Sequence, residues 1–149
     1  MSLCVAWPWG EHMSLDWEAE DEADTRLRRV YVVDDEEPVR DALVFLLNSC
    51  GIEALGFERA SEFLEALDQE GSAQGVRGCF LVDVRLGVDN GLALHATLVR
   101  RGFMNPVIFL TGHGDVPMAV EALKRGAFDF IEKPYSDEVL IERVGAALA

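Results

Sequence analysis

Asp83 closes an apolar run, Phe80-Leu81-Val82-Asp83-Val84-Arg85, with Gly87 and Gly91 close behind. Packing explains a carboxylate poorly at that place. Three other apolar runs end in the same manner. Val30-Tyr31-Val32-Val33 leads into Asp34-Asp35, Val107-Ile108-Phe109-Leu110 into Thr111, and Ala127 to Glu132 into Lys133-Pro134. These tips supply three acids, one hydroxyl and one ammonium. Clustered carboxylates raise one another's pKa unless a cation shares the site. Oxygen donors with no His or Cys among them favour Mg2+, a hard ion that commonly pairs with phosphate. Lys133 adds a point positive charge and Thr111 a hydroxyl donor. The set suits a phosphoryl group carried on a carboxylate, with the metal and Lys133 neutralising charge as phosphorus moves onto an Asp83 oxygen.

Each residue has a plainer use. Asp34-Asp35 can favour the following helix through its dipole. Asp83 can form a turn, Thr111 can hydrogen-bond within one, and Lys133 can be a surface lysine. Their joint placement at four strand tips is what argues for chemistry, and that placement depends on the elements. Five β-rich runs are separated by helical patterns: Arg29–Val33, Ile52–Phe57, Cys79–Asp83, Pro106–Thr111 and Ala127–Glu132.

Val39, Ala42, Leu43, Leu46, Leu47 and Cys50 recur at three- and four-residue spacing, opened by acids and Pro38 and stopped by Gly51. Ser61 to Leu67 carries Phe63, Leu64 and Leu67 at helical spacing, and a Gly/Ser loop spans 71–75. A Gly-containing loop follows Asp83 and leads to a helix through Leu92, Ala96 and Val99. Asp115 is the expected N-cap of a helix with Val116, Ala119, Val120 and Leu123 on one face. Ser136 is the expected cap of a last helix carrying Leu140, Val144, Ala147 and Leu148. Strict strand–helix alternation with near-continuous apolar strands predicts an α/β fold, a doubly wound five-stranded parallel sheet with helices on both faces. In such a sheet all strand C-termini share one edge, where ligands sit.

The net charge of the 149 residues is −14, which disfavours direct nucleic-acid binding by this chain and suits cationic partners. Residues 1–27 hold seven acids and one base and read as an acidic, disordered tail; the folded domain is expected over 28–149. No apolar run reaches the roughly 18 residues of a membrane span, and no secretory signal is visible. Cys4, Cys50 and Cys79 lack metal-ligand spacing, and their odd, scattered placement suits a reducing cytoplasm and argues against a disulfide framework. A mid-strand Cys79 reads as buried and inert rather than nucleophilic. His113 is held as an exposed loop residue ahead of a proton-transfer role, and His12 and His95 suggest no function.

Val32-Val33-Asp34-Asp35, Leu81-Val82-Asp83-Val84-Arg85, Phe109-Leu110-Thr111-Gly112 and Phe130-Ile131-Glu132-Lys133-Pro134 together resemble the receiver domain of two-component response regulators. The resemblance spans about residues 28–149. Gly112-His113-Gly114-Asp115-Val116 and Ala127-Phe128-Asp129-Phe130 look most like receivers that carry a C-terminal helix-turn-helix output. The resemblance implies a flavodoxin-like sheet order and a signalling switch rather than a classical enzyme. Asp83 would accept phosphate from a sensor histidine kinase. Asp34, Asp35, Asp83 and the Arg85 carbonyl would hold Mg2+, Thr111 and Lys133 would engage the phosphoryl oxygens, and Phe130 would change rotamer with Thr111. Lys133-Pro134 would be cis, and the face of helix four, strand five and helix five would change shape and dimerise. Arg85 and His113 fall where side chains tune phosphate lifetime. Many members of that family carry Pro where this chain has Gly87, which puts the geometry of the following loop in question. Transcriptional control would act through a part of the protein not in this sequence. The rival readings are a receiver-like adaptor that works unphosphorylated and a hydrolase of the haloacid dehalogenase type; the latter wants a second acid at position 85, where Arg85 stands.

Overall fold

The computed structural model describes residues 29–112 and 114–149. The expected tail and His113 lie outside the described residues. Strands β1 (Arg29–Val33), β2 (Glu53–Phe57), β3 (Cys79–Asp83), β4 (Val107–Thr111) and β5 (Asp129–Glu132) alternate with helices α1 (Glu37–Ser49), α2 (Ala60–Asp68), α3 (Gly91–Arg100), α4 (Val116–Lys124) and α5 (Asp137–Leu148). All four strand pairings are parallel, in the order β2-β1-β3-β4-β5. This is the doubly wound sheet that the alternation predicts, in the flavodoxin-like order that the resemblance implies.

Successive strand residues point to opposite faces, so each strand feeds two cores. Tyr31, Val33, Phe80, Val82, Val107 and Phe109 pack with Phe63 and Leu67 of α2 and Leu94 and Leu98 of α3. Val30, Val32, Cys79, Leu81, Ile108, Leu110 and Ile131 pack with Leu43 and Leu47 of α1 and Leu140, Ile141 and Val144 of α5. Burying each large aliphatic or aromatic side chain contributes about 1.5–3 kcal/mol, and this doubly buried sheet holds the strand tips in fixed register. Val33 pairs with Val82, Asp83 with Leu110, and Thr111 with Glu132. One further step along β1 therefore sets Asp34 beside Asp83.

Several local expectations change. Helix α3 buries Leu94, His95 and Leu98, whereas Val99 is 56% exposed. The spacing predicts a stripe through Leu92, Ala96 and Val99, of which Leu92 packs on the core. His95 lies edge-on against Phe109, 5.7 Å between ring centroids, and joins Leu94 and Leu98 on the buried face. In α1, Ala42 is exposed while Val44 packs on the core. In α4, Ala122 is buried and Val120 lies outward. Cys79 is a free, buried thiol whose pKa burial pushes up to about 12.

The loop after Asp83 is a small antiparallel hairpin, Arg85–Leu86 with Asp89–Asn90. Its two-residue turn is Gly87-Val88. Gly87 has φ +66° and Val88 does not have positive φ, as a type II′ turn requires. Proline, fixed near −65°, cannot take that position. Asn90 then caps α3 by accepting hydrogen bonds from Leu92 N (2.7 Å) and Ala93 N (3.2 Å).

Candidate functional site

The C-terminal edge of the sheet brings Asp34, Asp35 and Asp83 together. One ligand oxygen from each lies within 4.8 Å of the others. Asp34 is fully buried and Asp83 is 7% exposed. Both carboxylates are pinned by the chain that follows them. Asp34 Oδ1 accepts the Glu36 N–H at 2.9 Å, and Asp83 Oδ1 accepts the Arg85 N–H at 2.9 Å. These i to i+2 bonds are the turn-forming use allowed for such residues, and they coexist with a shared site because each acid keeps its second oxygen free of the turn.

Those second oxygens meet Lys133. Its ammonium donates to Asp83 Oδ2 at 2.7 Å and lies 3.5 Å from Asp34 Oδ2 and 3.7 Å from Glu36 Oε1. The Lys133–Pro134 bond is cis, and Lys133 N donates to Thr111 O at 2.8 Å, which ties the β5 tip to the β4 tip. Burial pulls the Lys133 pKa down, but the hydrogen bond and charge of Asp83, with the charges of Asp34 and Glu36, outweigh it and the net direction is up. Asp34 moves the other way from an ordinary carboxylate. Burial above all, reinforced by the Asp83 charge, raises it to about 6 against the Glu36 N–H and Lys133, which lower it. The buried acid is therefore short of positive charge with Lys133 alone. Hard oxygen donors, no nitrogen or sulfur ligand, and an electrostatic deficit at Asp34 fit a small divalent cation.

Thr111 is buried at the β4 tip, its hydroxyl donating to Gly112 O at 3.4 Å. It is near the cluster through Lys133 but makes no bond to the carboxylates. Phe130 is half-buried against the core that includes Phe109, Ala122 and Ala127, and its carbonyl accepts from Arg143 at 3.2 Å. An open cleft of about 350 Å3 lies over Asp83, lined by Asp35, Glu36, Arg85, Asp115 and Lys133 with Gly87 and Gly112.

The Arg85 side chain has a partner at the start of α4. Its guanidinium is drawn across the cleft to Asp115, with Nε donating to Oδ2 at 2.7 Å and a terminal nitrogen to Oδ1 at 2.8 Å. Asp115 occupies the N-cap position of α4 but makes no side-chain cap there. The Arg85 hydrogen bond holds the Asp115 carboxyl below its usual range, and the same bond raises Arg85.

Several positioning residues carry a signal that spacing alone does not rank. A Cβ on Gly91 would overlap the Asp83 carbonyl oxygen and crowd Val84, while Gly91 N donates to Val84 O at 2.8 Å. A Cβ on Gly87 would come within 3.0 Å of Asp35 Oδ2. Asp89 accepts the Ala60 N–H at 3.1 Å and anchors the hairpin to the start of α2. The Gly-X pair between Leu86 and Asp89, and Asn90 before an apolar run, were the available signals for this hairpin and cap.

A parallel 2-1-3-4-5 sheet with an acidic triad and a lysine at its C-terminal edge defines a receiver-type fold. The sequence pattern of the response regulator receiver domain matches residues 30–145, and the chain belongs to that family. It is 46% identical over 120 residues to the transcriptional regulatory protein TdiR of Thauera aromatica, covering 80% of this chain and 51% of TdiR. It is 46% identical over 122 residues to the transcriptional regulatory protein FixJ of Azorhizobium caulinodans, covering 80% of this chain and 54% of FixJ. The chain thus spans about half the length of these curated relatives. Among solved structures, FixJ-N superposes with a TM-score of 0.71 at 45% identity, covering 80% of this chain and 92% of that one. Full-length FixJ from B. japonicum superposes at 0.73 with 40% identity, covering 80% and 57%. Among the described residues no helix is long and apolar enough to cross a membrane.

Proposed function

We propose that this chain is the phosphoacceptor module of a two-component response regulator, with Asp83 as the residue that carries the phosphoryl group. The observation that carries the reading is the Lys133 ammonium at 2.7 Å from Asp83 Oδ2, inside a cluster of three carboxylates. An Asp83 oxygen attacks the phosphorus of a phosphohistidine on a sensor histidine kinase. The P–O bond forms as the P–N bond breaks, and the imidazole leaves with the electron pair and takes up a proton. The Arg85 N–H and Lys133 orient the carboxylate beforehand, so little reorganisation is needed when the donor arrives. Lys133 then pairs with the phosphoryl oxygens, and the Thr111 hydroxyl turns toward them. Asp34, Asp35, Asp83 and the Arg85 carbonyl are the residues that would hold Mg2+, which when bound would supply charge neutralisation for the transferred group.

The folded unit is residues 28–149, preceded by an acidic tail at 1–27. Phosphorylation biases the face of α4, β5 and α5 through Thr111 and Phe130 and promotes homodimerisation there. The relatives named as transcriptional regulators support control of transcription as the output, through protein beyond this sequence. The setting is cytoplasmic. The module works as a switch, with weak self-phosphorylation from small donors and weak self-hydrolysis beside transfer from the kinase. The test is mass spectrometry after treatment with acetyl phosphate and Mg2+. A gain of one phosphoryl group is expected, absent in Asp83→Asn. Equal labelling of that variant would sink the assignment.

A further inference from the structure

The Arg85–Asp115 pair spans the mouth of the cleft over Asp83, and the two partners differ in their freedom. The Arg85 side chain is 72% exposed and that of Asp115 only 10%. Arg85 can therefore leave without drawing an apolar surface into water, whereas Asp115 stays where α4 begins. The Arg85 backbone is fixed on the phosphoacceptor by its N–H bond to Asp83 Oδ1. Its guanidinium lines the same cleft and already feels the Asp83 charge. A phosphoryl group on Asp83 would add a charge of about −1.5 to −2 and three strong acceptor oxygens to that cleft. An arginine fork matches such a group bidentately, as it matches the carboxylate it holds in the unphosphorylated chain.

We infer that Arg85 is a phosphoryl-binding residue held in reserve by Asp115. In the unphosphorylated chain Asp115 parks the guanidinium at the rim. Once Asp83 carries phosphate, the two anions compete for one fork, and the phosphoryl group wins by charge and by acceptor number. Asp115 then loses its partner at the N terminus of α4. A buried carboxylate without a hydrogen-bond partner is costly, so the first turn of α4 shifts to hydrate it. The exchange would link events at Asp83 to the helix that borders the switching face. This rests on Asp83 being the phosphoacceptor, as proposed above.

The test is a double-mutant cycle on the full chain, titrated with beryllofluoride in saturating Mg2+ and followed by NMR. An ion pair with one partner exposed corresponds to a change in affinity of about 1.4- to 5-fold. Asp115→Asn is expected to tighten beryllofluoride binding by about that factor, since the fork is no longer held away. Arg85→Ala should weaken it to a similar degree. In the Arg85→Ala background, Asp115→Asn should have no effect. The Arg85 Nε–H signal gives an independent readout: it should move on beryllofluoride addition in the wild type and be displaced already in free Asp115→Asn. An Asp115→Asn effect that survives in the Arg85→Ala background, or an Arg85 signal indifferent to beryllofluoride, would overturn the exchange while labelling of wild-type Asp83 leaves the phosphoacceptor assignment standing. A wild type that takes neither beryllofluoride nor phosphate from acetyl phosphate would overturn both.

Discussion

Replacing Asp34 by Asn should stabilise the metal-free protein. Asp34 is fully buried, beside Asp83, and its pKa is raised from the ordinary 3.8 to about 6, mainly by burial. At about 1.4 kcal/mol per tenfold change, ionised Asp34 costs the folded state about 3 kcal/mol at neutral pH. Asparagine keeps an oxygen to accept the Glu36 N–H and carries no charge. Lys133 keeps its 2.7 Å bond to Asp83. Part of the gain is lost where the new amide faces the Lys133 ammonium, so a stabilisation of about 1–3 kcal/mol is expected, or roughly 2–8 °C in Tm per kcal/mol. The assay is urea unfolding in EDTA, repeated across pH. Because the folded pKa lies above the unfolded one, the folded state retains a proton between 3.8 and about 6 that the unfolded state has lost. Wild-type stability from this group therefore falls as pH rises through that window and levels off above it. The advantage of Asp34→Asn should open over the same range and vanish below it. Added Mg2+ should stabilise the wild type by mass action and the variant far less. A variant less stable than wild type in EDTA at neutral pH would refute the electrostatic reasoning, because it would mean that Asp34 is already compensated by Lys133.

Gly91→Ala should destabilise the fold by about 1–3 kcal/mol, the usual cost of overpacking, and slow acetyl phosphate labelling, since the new methyl displaces the Asp83 carbonyl; a chemical denaturation curve unchanged from wild type would show the backbone to be more accommodating. Gly87→Pro should cost about 1–3 kcal/mol and weaken Mg2+ binding, because the turn needs φ +66° beside Asp35; equal Mg2+ affinity by calorimetry would count against the hairpin as a positioning device. His95 has its pKa lowered, first by burial and then by Arg125. Its folded pKa lies below its unfolded one, so stability should fall as pH drops through the ordinary imidazole range. His95→Phe should flatten that slope, measured in the Asp34→Asn background because Asp34 acts with the opposite sign in the same window.

How much of this was legible depended on where the determining contact lay along the chain. The strand tips were readable because a parallel sheet converts sequence order into spatial alignment. Once Val32-Val33, Leu81-Val82, Phe109-Leu110 and Phe130-Ile131 are strands, Asp34, Asp83, Thr111 and Lys133 have no other edge to occupy. The buried face of α3 runs through Leu94, His95 and Leu98 beside Leu92 rather than through Val99, because an imidazole edge-on to Phe109 packs as a ring. The hairpin after Asp83 was read as loop, though Gly87-Val88 had the residue order of a tight turn.

Asp115 shows why a local rule can lose. Its type and position before an apolar helix satisfy the N-cap pattern, yet its side chain caps nothing. The first turn offers it little: Pro117 has no N–H, and the Met118 N–H is already taken by the Asp115 carbonyl at 3.0 Å. Arg85 offers two charge-assisted bonds at 2.7 and 2.8 Å. A carboxylate with one contested neutral donor on its own helix and a charged fork across the cleft takes the fork. That partner lies thirty residues earlier in the chain. Asp115 therefore lines the same cleft as Asp83, and on the proposed exchange a change in what Arg85 holds reaches the start of α4.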